Sequence, residues 1–175
     1  MLMKIIVGLG NSGKEYLNTR HNAGYLVAEA LQKRISNFQF PISNQKIASL
    51  RVKIFKSDKF MNDSGSFVVK LVDKYKLDLS DLYIIHDDLD IPLGAYKIQF
   101  GVGPKVHNGV NSVEQELGTK DFWRVRVGVE NRTMNNELRI KGEDYVLQDF
   151  TDEERRVLDK TIREICSKII TNEHK

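Results

Sequence analysis

The sequence predicts an α/β fold, a single-domain three-layer sandwich in which helices flank a twisted mixed, largely parallel sheet. Three observations carry that prediction. Strand-like and helix-like periodicities alternate along the chain; Leu82-Tyr83-Ile84-Ile85 is the short unbroken apolar run expected of a strand covered on both faces; and 175 residues with 41% hydrophobic content suit one core.

The elements follow in order. Residues 4–8 read as a buried strand that runs into Gly8-Leu9-Gly10-Asn11-Ser12-Gly13-Lys14, a G-x-G-x-x-G spacing one residue short of a phosphate-binding loop. Neither nucleotide mechanism fits. Glu15 stands where Ser or Thr would hold magnesium, and residues 14–22 are almost wholly polar where a dinucleotide fingerprint needs a helix packing on the sheet. The glycines shape a turn into a long exposed loop, the kind of segment on which sites are built. Residues 23–35 form an amphipathic helix with Val27, Leu31 and Ile35 on one face. After a polar linker at 43–46, residues 48–56 form a second strand region, alternating at Val52-Lys53-Ile54. Ser64 is expected to cap a helix through residue 74 with Phe67, Val68, Leu71 and Val72 as its apolar stripe. Residues 82–85, 95–100 and 123–129 are strands, with a helix from about Gly109 to Gly118 between the last two. Thr151-Asp152-Glu153-Glu154 is a capping box that opens a C-terminal helix over about 151–170.

Composition narrows the function classes. One cysteine (Cys166, expected to pack in the core), no apolar run of membrane-spanning length and no signal-peptide profile point to a soluble, cytoplasmic protein without a membrane partner. A net charge of +3 and a pI near 8.9 permit anionic partners without identifying nucleic acid.

Four segments end strands with polar groups: the loop from Asn11 to His21-Asn22, Phe60-Met61-Asn62-Asp63-Ser64-Gly65, His86-Asp87-Asp88-Leu89-Asp90, and His107-Asn108-Gly109. Each alone has a structural explanation. Asn11 and Asn62 suit turns, Asn108 suits a helix cap, His21 suits a polar surface, and Asp87, Asp88 and Asp90 are loop acids or a magnesium site of hard oxygen ligands. Together, three amides, a histidine and an aspartate directly after a buried strand are the parts of a hydrolase that activates water: a base, its orienter and neutral donors for an oxyanion. A serine hydrolase using Ser64 with His21 is the competing enzyme class, but no G-x-S-x-G elbow surrounds Ser64. Magnesium-dependent phosphoryl transfer at Asp87, Asp88 and Asp90 is another.

The segments GLGNSGKEYLNTRHNAG, FMNDSG, HDDLDIPLG and HNG, in this order, resemble bacterial-type peptidyl-tRNA hydrolase. The resemblance implies a monomeric α/β enzyme, without cofactor or metal, that cleaves the ester between a peptide and the 3′ ribose of tRNA. It implies that His21 is the general base and that Asp87 orients it. Asn11 would separate blocked from free amino groups, Asn62 and Asn108 would hold the peptidyl portion and the attacking water, and Tyr16 and Phe60 would contact the 3′ end. Arg126 matches a position that meets the tRNA 5′ phosphate, with Lys97 and Lys105 as further contacts to the tRNA backbone. The alternative for Arg124 and Arg126, which alternate with Val125 and Val127, is the solvated face of a strand. The chain departs from the family pattern at Ser12, at Asp88, in the loop 101–106 and at Glu130-Asn131-Arg132. A non-catalytic RNA-binding relative is the alternative within the same fold, against which stands the retention of His21, Asp87 and all three asparagines.

Overall fold

The computed structural model describes residues 3–37, 51–132 and 140–171. Its five strands are β1 (Met3–Gly8), β2 (Arg51–Lys56), β3 (Leu82–Pro92), β4 (Tyr96–Phe100) and β5 (Trp123–Glu130), laid side by side as β2-β1-β3-β5-β4. The pairs β1/β2, β1/β3 and β3/β5 are parallel, and β4 closes the edge antiparallel to β5. The helices are α1 (Ala23–Asn37), α2 (Ser64–Tyr75), α3 (Asn108–Leu117), α4 (Gly142–Val146) and α5 (Asp152–Thr171). The anticipated linker at 43–46 and the first residues of the second strand region, 48–50, lie outside the described residues.

Strand residues alternate between faces, so each strand feeds two cores. On one face Ile6, Tyr83, Ile85, Val125 and Val127 pack with Val27 and Leu31 of α1 and with Leu158, Ile162, Ile165 and Cys166 of α5. On the other, Ile5, Val7, Leu82 and Ile84 pack with Val68 and Leu71 of α2 and Val110 and Val113 of α3. Helices therefore cover both faces, as the unbroken apolar run at 82–85 requires. The Thr151 box also forms: Glu154 N–H donates to Thr151 Oγ1 at 3.2 Å, and Thr151 N–H donates to Glu154 Oε2 at 2.9 Å.

Close approach of α1 to the strand ends depends on Gly24. A Cβ there would lie 2.4 Å from Ile85 O and 2.5 Å from Leu9 O, so the start of α1 is seated directly on the carboxyl end of β1 and the first half of β3. That contact delivers the residues just before α1, including His21, to the end of the sheet.

Four expectations are corrected. The third strand does not stop at residue 85 but runs to Pro92, because the polar residues that follow are paired by other elements and stay in register with β5 as far as Asp88 opposite Gly128. Ser64 is the first residue of α2 rather than its cap; Asp63 holds the cap position, without a side-chain cap bond, and the Ser64 hydroxyl is fully buried with no hydrogen-bond partner among the described residues. His107, not Asn108, caps α3: its Nδ1 accepts from Val110 N–H. Arg124 and Arg126 do not lie on a solvated face. Arg124 is fully buried against Glu114 of α3 at 2.7 Å, and Arg126 is buried against Asp88 at 2.7 Å.

Candidate active site

Asp87 lies where β3 leaves the apolar core, and it is 2% exposed. Its Oδ1 receives two imidazoles: His21 Nδ1 at 2.9 Å and His107 Nε2 at 2.9 Å. His21 comes from the 3-10 turn Arg20–Asn22 that precedes α1, and His107 from the first cap of α3. The capping bond fixes proton positions. Because His107 Nδ1 accepts from Val110 N–H, its ring proton sits on Nε2 and is donated to Asp87. His21 likewise donates its Nδ1 proton to Asp87, which leaves Nε2 as a lone pair directed away from the carboxylate.

The charges are set by these contacts. Burial by itself would raise the Asp87 pKa, but the two imidazoles outweigh it and hold the carboxyl well below the usual carboxylate range. Burial pulls His21 down, yet the Asp87 carboxylate and its hydrogen bond more than offset this and leave His21 above its ordinary 6.5. His86, wholly buried beside His107, is pushed well below 6.5 by burial and by its neighbour. It stays neutral and donates Nδ1–H to Asp87 O at 2.6 Å.

A cleft of about 650 Å³ opens over this group, lined by His21, Asp87, His107 and Asn108 together with Lys105, Val106, Val146 and Leu147. Asn11 and Asn62 are not among the residues that line it. Asn11 Oδ1 accepts from Met61 N–H at 2.9 Å, fixing the turn that bears Asn62. Asn22 clamps Asn11 in turn: its Oδ1 accepts from Asn11 N–H at 2.8 Å and its Nδ2 donates to Asn11 O at 3.0 Å. Asn62 and Asn108 are exposed, as is Phe60 at 58%, and Tyr16 is half-buried in the loop before the His21 turn.

The basic residues divide. Lys105 is exposed at the cleft, with its N–H donating to Asp90 Oδ2 at 3.1 Å, and Lys97 is exposed on β4, opposite Arg126 in the register. Arg126 is not presented to solvent for a phosphate, since Nε is bound to Asp88 and Nη1 to Gln99. That pairing also dismantles the magnesium alternative, because Asp87, Asp88 and Asp90 each serve a different partner. Among the described residues, the one grouping with metal-ligand chemistry is His21, Asp87 and His107, whose ligand atoms lie within 4.8 Å of one another. Both ring nitrogens nearest Asp87 are proton donors there, so a cation would have to displace two protons. The Ser64 alternative fails on geometry: its hydroxyl is buried and bonded to no histidine among the described residues.

Sequence reasoning missed the role of His107 and the apolar wall of Val106, Val146 and Leu147. The only signal for His107 was its place immediately before Asn108 in the HNG motif.

A histidine held by a buried carboxylate beside a parallel sheet, under a cleft that the Asn108 amide borders, defines a class: an α/β enzyme with the parts for general-base hydrolysis. The family model described as peptidyl-tRNA hydrolase matches residues 5–173, and the chain belongs to this family. Among its relatives, the peptidyl-tRNA hydrolase of Pediococcus pentosaceus is 39% identical over 87% of this chain and 83% of its own length. That of Geobacillus thermodenitrificans is 37% identical over 97% of this chain and 94% of its own. The crystal structure of peptidyl-tRNA hydrolase from Acinetobacter baumannii superposes with a TM-score of 0.74 at 28% identity, covering 95% of this chain and 86% of that one. Its Arg119Gln mutant gives 0.77 at 27% identity, over 96% and 87%.

Proposed function

We propose that this protein hydrolyses the ester between the peptide and the 3′ ribose of peptidyl-tRNA, with His21 as general base. The observation that carries the reading is the Asp87 carboxylate, buried and bonded at 2.9 Å to His21 Nδ1, which leaves His21 Nε2 free to take a proton. Water on Nε2 gives up its proton as its oxygen attacks the ester carbonyl. The imidazolium so formed is stabilised by the ionised Asp87 next to it. The tetrahedral intermediate then expels the ribose oxygen, which takes the proton back from His21, and the products are a peptide carboxylic acid and tRNA. General-base assistance of this kind is worth about 10²- to 10⁴-fold.

The amides suit the remaining tasks because they donate and accept hydrogen bonds without adding charge beside the imidazole. Asn108, at the cleft, and Asn62 hold the peptidyl backbone and the attacking water. Asn11 distinguishes an acylated from a free amino group, and Tyr16 and Phe60 meet the 3′-terminal nucleotides. Lys105 and Lys97 supply backbone contacts; Arg126, committed to Asp88 and Gln99, is left out of that set. The working form in this reading is a cytoplasmic monomer; no helix among the described residues is long and apolar enough to cross a membrane.

The test compares the wild type with His21→Ala on an N-acetylated aminoacyl-tRNA and on the same aminoacyl-tRNA with a free amino group. The expected result is release from the acetylated ester by the wild type alone. Undiminished release by His21→Ala would remove the base, and equal release from both esters would remove the role given to Asn11.

A further inference from the structure

The mechanism uses His21 but not the charged group next to it in the chain. Arg20 is 4% exposed and forms a buried ion pair with Glu154 of α5, Nη2 to Oε2 at 2.6 Å. Its Nη1 donates to two backbone carbonyls, Gln148 O at 3.1 Å and Asp149 O at 2.9 Å, and its guanidinium stacks 4.1 Å from the centroid of the Tyr145 ring. Glu154 is saturated from the other side: Oε2 also receives Thr151 N–H, and Oε1 receives Asn131 Nδ2 at 3.2 Å. Burial would raise its pKa, but Arg20, Thr151 N–H and Asn131 bring it down to about 2, so it is ionised throughout the neutral range.

Burying two charges is costly and seldom adds net stability over apolar residues of the same size, so such a pair is better explained by what it fixes. Here it fixes the residue adjoining the base. The turn Arg20–Asn22 contains His21 at its centre, with Arg20 locked to the segment leading into α5 on one side and Asn22 locked to Asn11 on the other. Arg20 N–H to Gln148 O and Phe150 N–H to Asn18 O complete the attachment. Among the described residues the His21 side chain has one hydrogen bond, to Asp87, and its aim therefore depends on the backbone of this turn.

We infer that Glu154, acting through Arg20, is a positioning residue that holds His21 in line with Asp87 and ties the C-terminal helix to the chemistry of the cleft. The inference rests on His21 being the base.

The test is the double variant Arg20→Met with Glu154→Gln, which removes both buried charges and keeps a residue able to serve the Thr151 box. The kinetic readouts are kcat and KM on N-acetylated aminoacyl-tRNA. The pKa of His21, from its imidazole NMR signals in the free enzyme, reports its contact with Asp87 independently of turnover. The expected result is a fold retained by circular dichroism, kcat lower by about tenfold with KM little changed, and a His21 pKa displaced downward from the wild-type value. Wild-type kcat and wild-type His21 pKa in the folded variant would overturn the inference. Should the double variant not fold, Arg20→Lys keeps the charge but not the planar fork that serves three acceptors; an intermediate loss of kcat supports the role, and wild-type kcat overturns it. An active His21→Ala enzyme would instead show that the reading of His21 as base is at fault.

Discussion

The two sides of His21 are built on opposite rules. Behind it, Asp87, His107, Arg20, Glu154 and Asn22 are buried, and each is bonded to a named partner. In front of it, Asn108, Lys105 and Val106 line the cleft and are exposed, and Phe60 and Asn62, outside the cleft lining, are exposed as well. Under the proposed function the difference assigns the tasks: the rear would hold a proton acceptor in one orientation before substrate arrives, and the front would offer groups whose hydrogen bonds and apolar contacts a substrate completes. A site that accepts many peptides needs that division, because the chemistry must not depend on side chains that vary from one substrate to the next.

Substitutions at the rear should act on kcat, and those at the front on substrate affinity with the fold intact. The largest effect is expected for Asp87→Asn. It removes the charge that stabilises the imidazolium and permits the wrong ring tautomer, and kcat should fall about 10²-fold or more with KM nearly constant. Next comes pH. Since Asp87 holds His21 above 6.5 and the base must be unprotonated, kcat/KM in the wild type should rise with pH through a midpoint above 6.5 and level off beyond it. An acid limb with its midpoint below 6.5 would contradict this. The same shift has a stability counterpart: the raised His21 pKa contributes stability that is complete below pH 6.5 and is lost as pH rises through the folded-state value.

His107→Ala should cost about 1 kcal/mol of stability through loss of the α3 cap, together with a fall in kcat of about tenfold from a less constrained Asp87, measured by denaturant unfolding and steady-state kinetics. Asn62→Ala and Asn108→Ala, both exposed, should leave stability within about 0.5 kcal/mol of the wild type while raising KM. An unfolding midpoint shifted as far as in His107→Ala would erase the distinction between front and rear. The smallest effect is expected for Lys105→Ala: a modest rise in KM and a shallower dependence of kcat/KM on salt, since one contact to phosphate would be lost.

How far the molecule was legible from its residues follows the same line between local and tertiary causes. Elements specified by their own periodicity and caps, such as α1, β1 and the Thr151-Glu154 box of α5, were readable because the determining residues lie within the element. The second half of β3 was not: Asp87 and Asp88 read as a loop, and only His21, His107 and Arg126, supplied by other segments, make a strand there tolerable. The Arg124-Val125-Arg126-Val127 alternation gave the right strand and the wrong environment, since Glu114 and Asp88 cover the arginine side. Helix α4 spans five residues and was too short for any periodicity to show. At the site, His21 and Asp87 were visible through motifs, whereas His107 was hidden because histidine is not among the usual helix caps.

The most direct measurement is the NMR titration of the His21 imidazole in the wild type and in Asp87→Asn. The account predicts a pKa above 6.5 in the wild type that falls below 6.5 in the variant, where burial acts without the carboxylate to oppose it. Identical titration curves for the two proteins would mean that Asp87 does not govern His21, and the general-base assignment would lose its foundation.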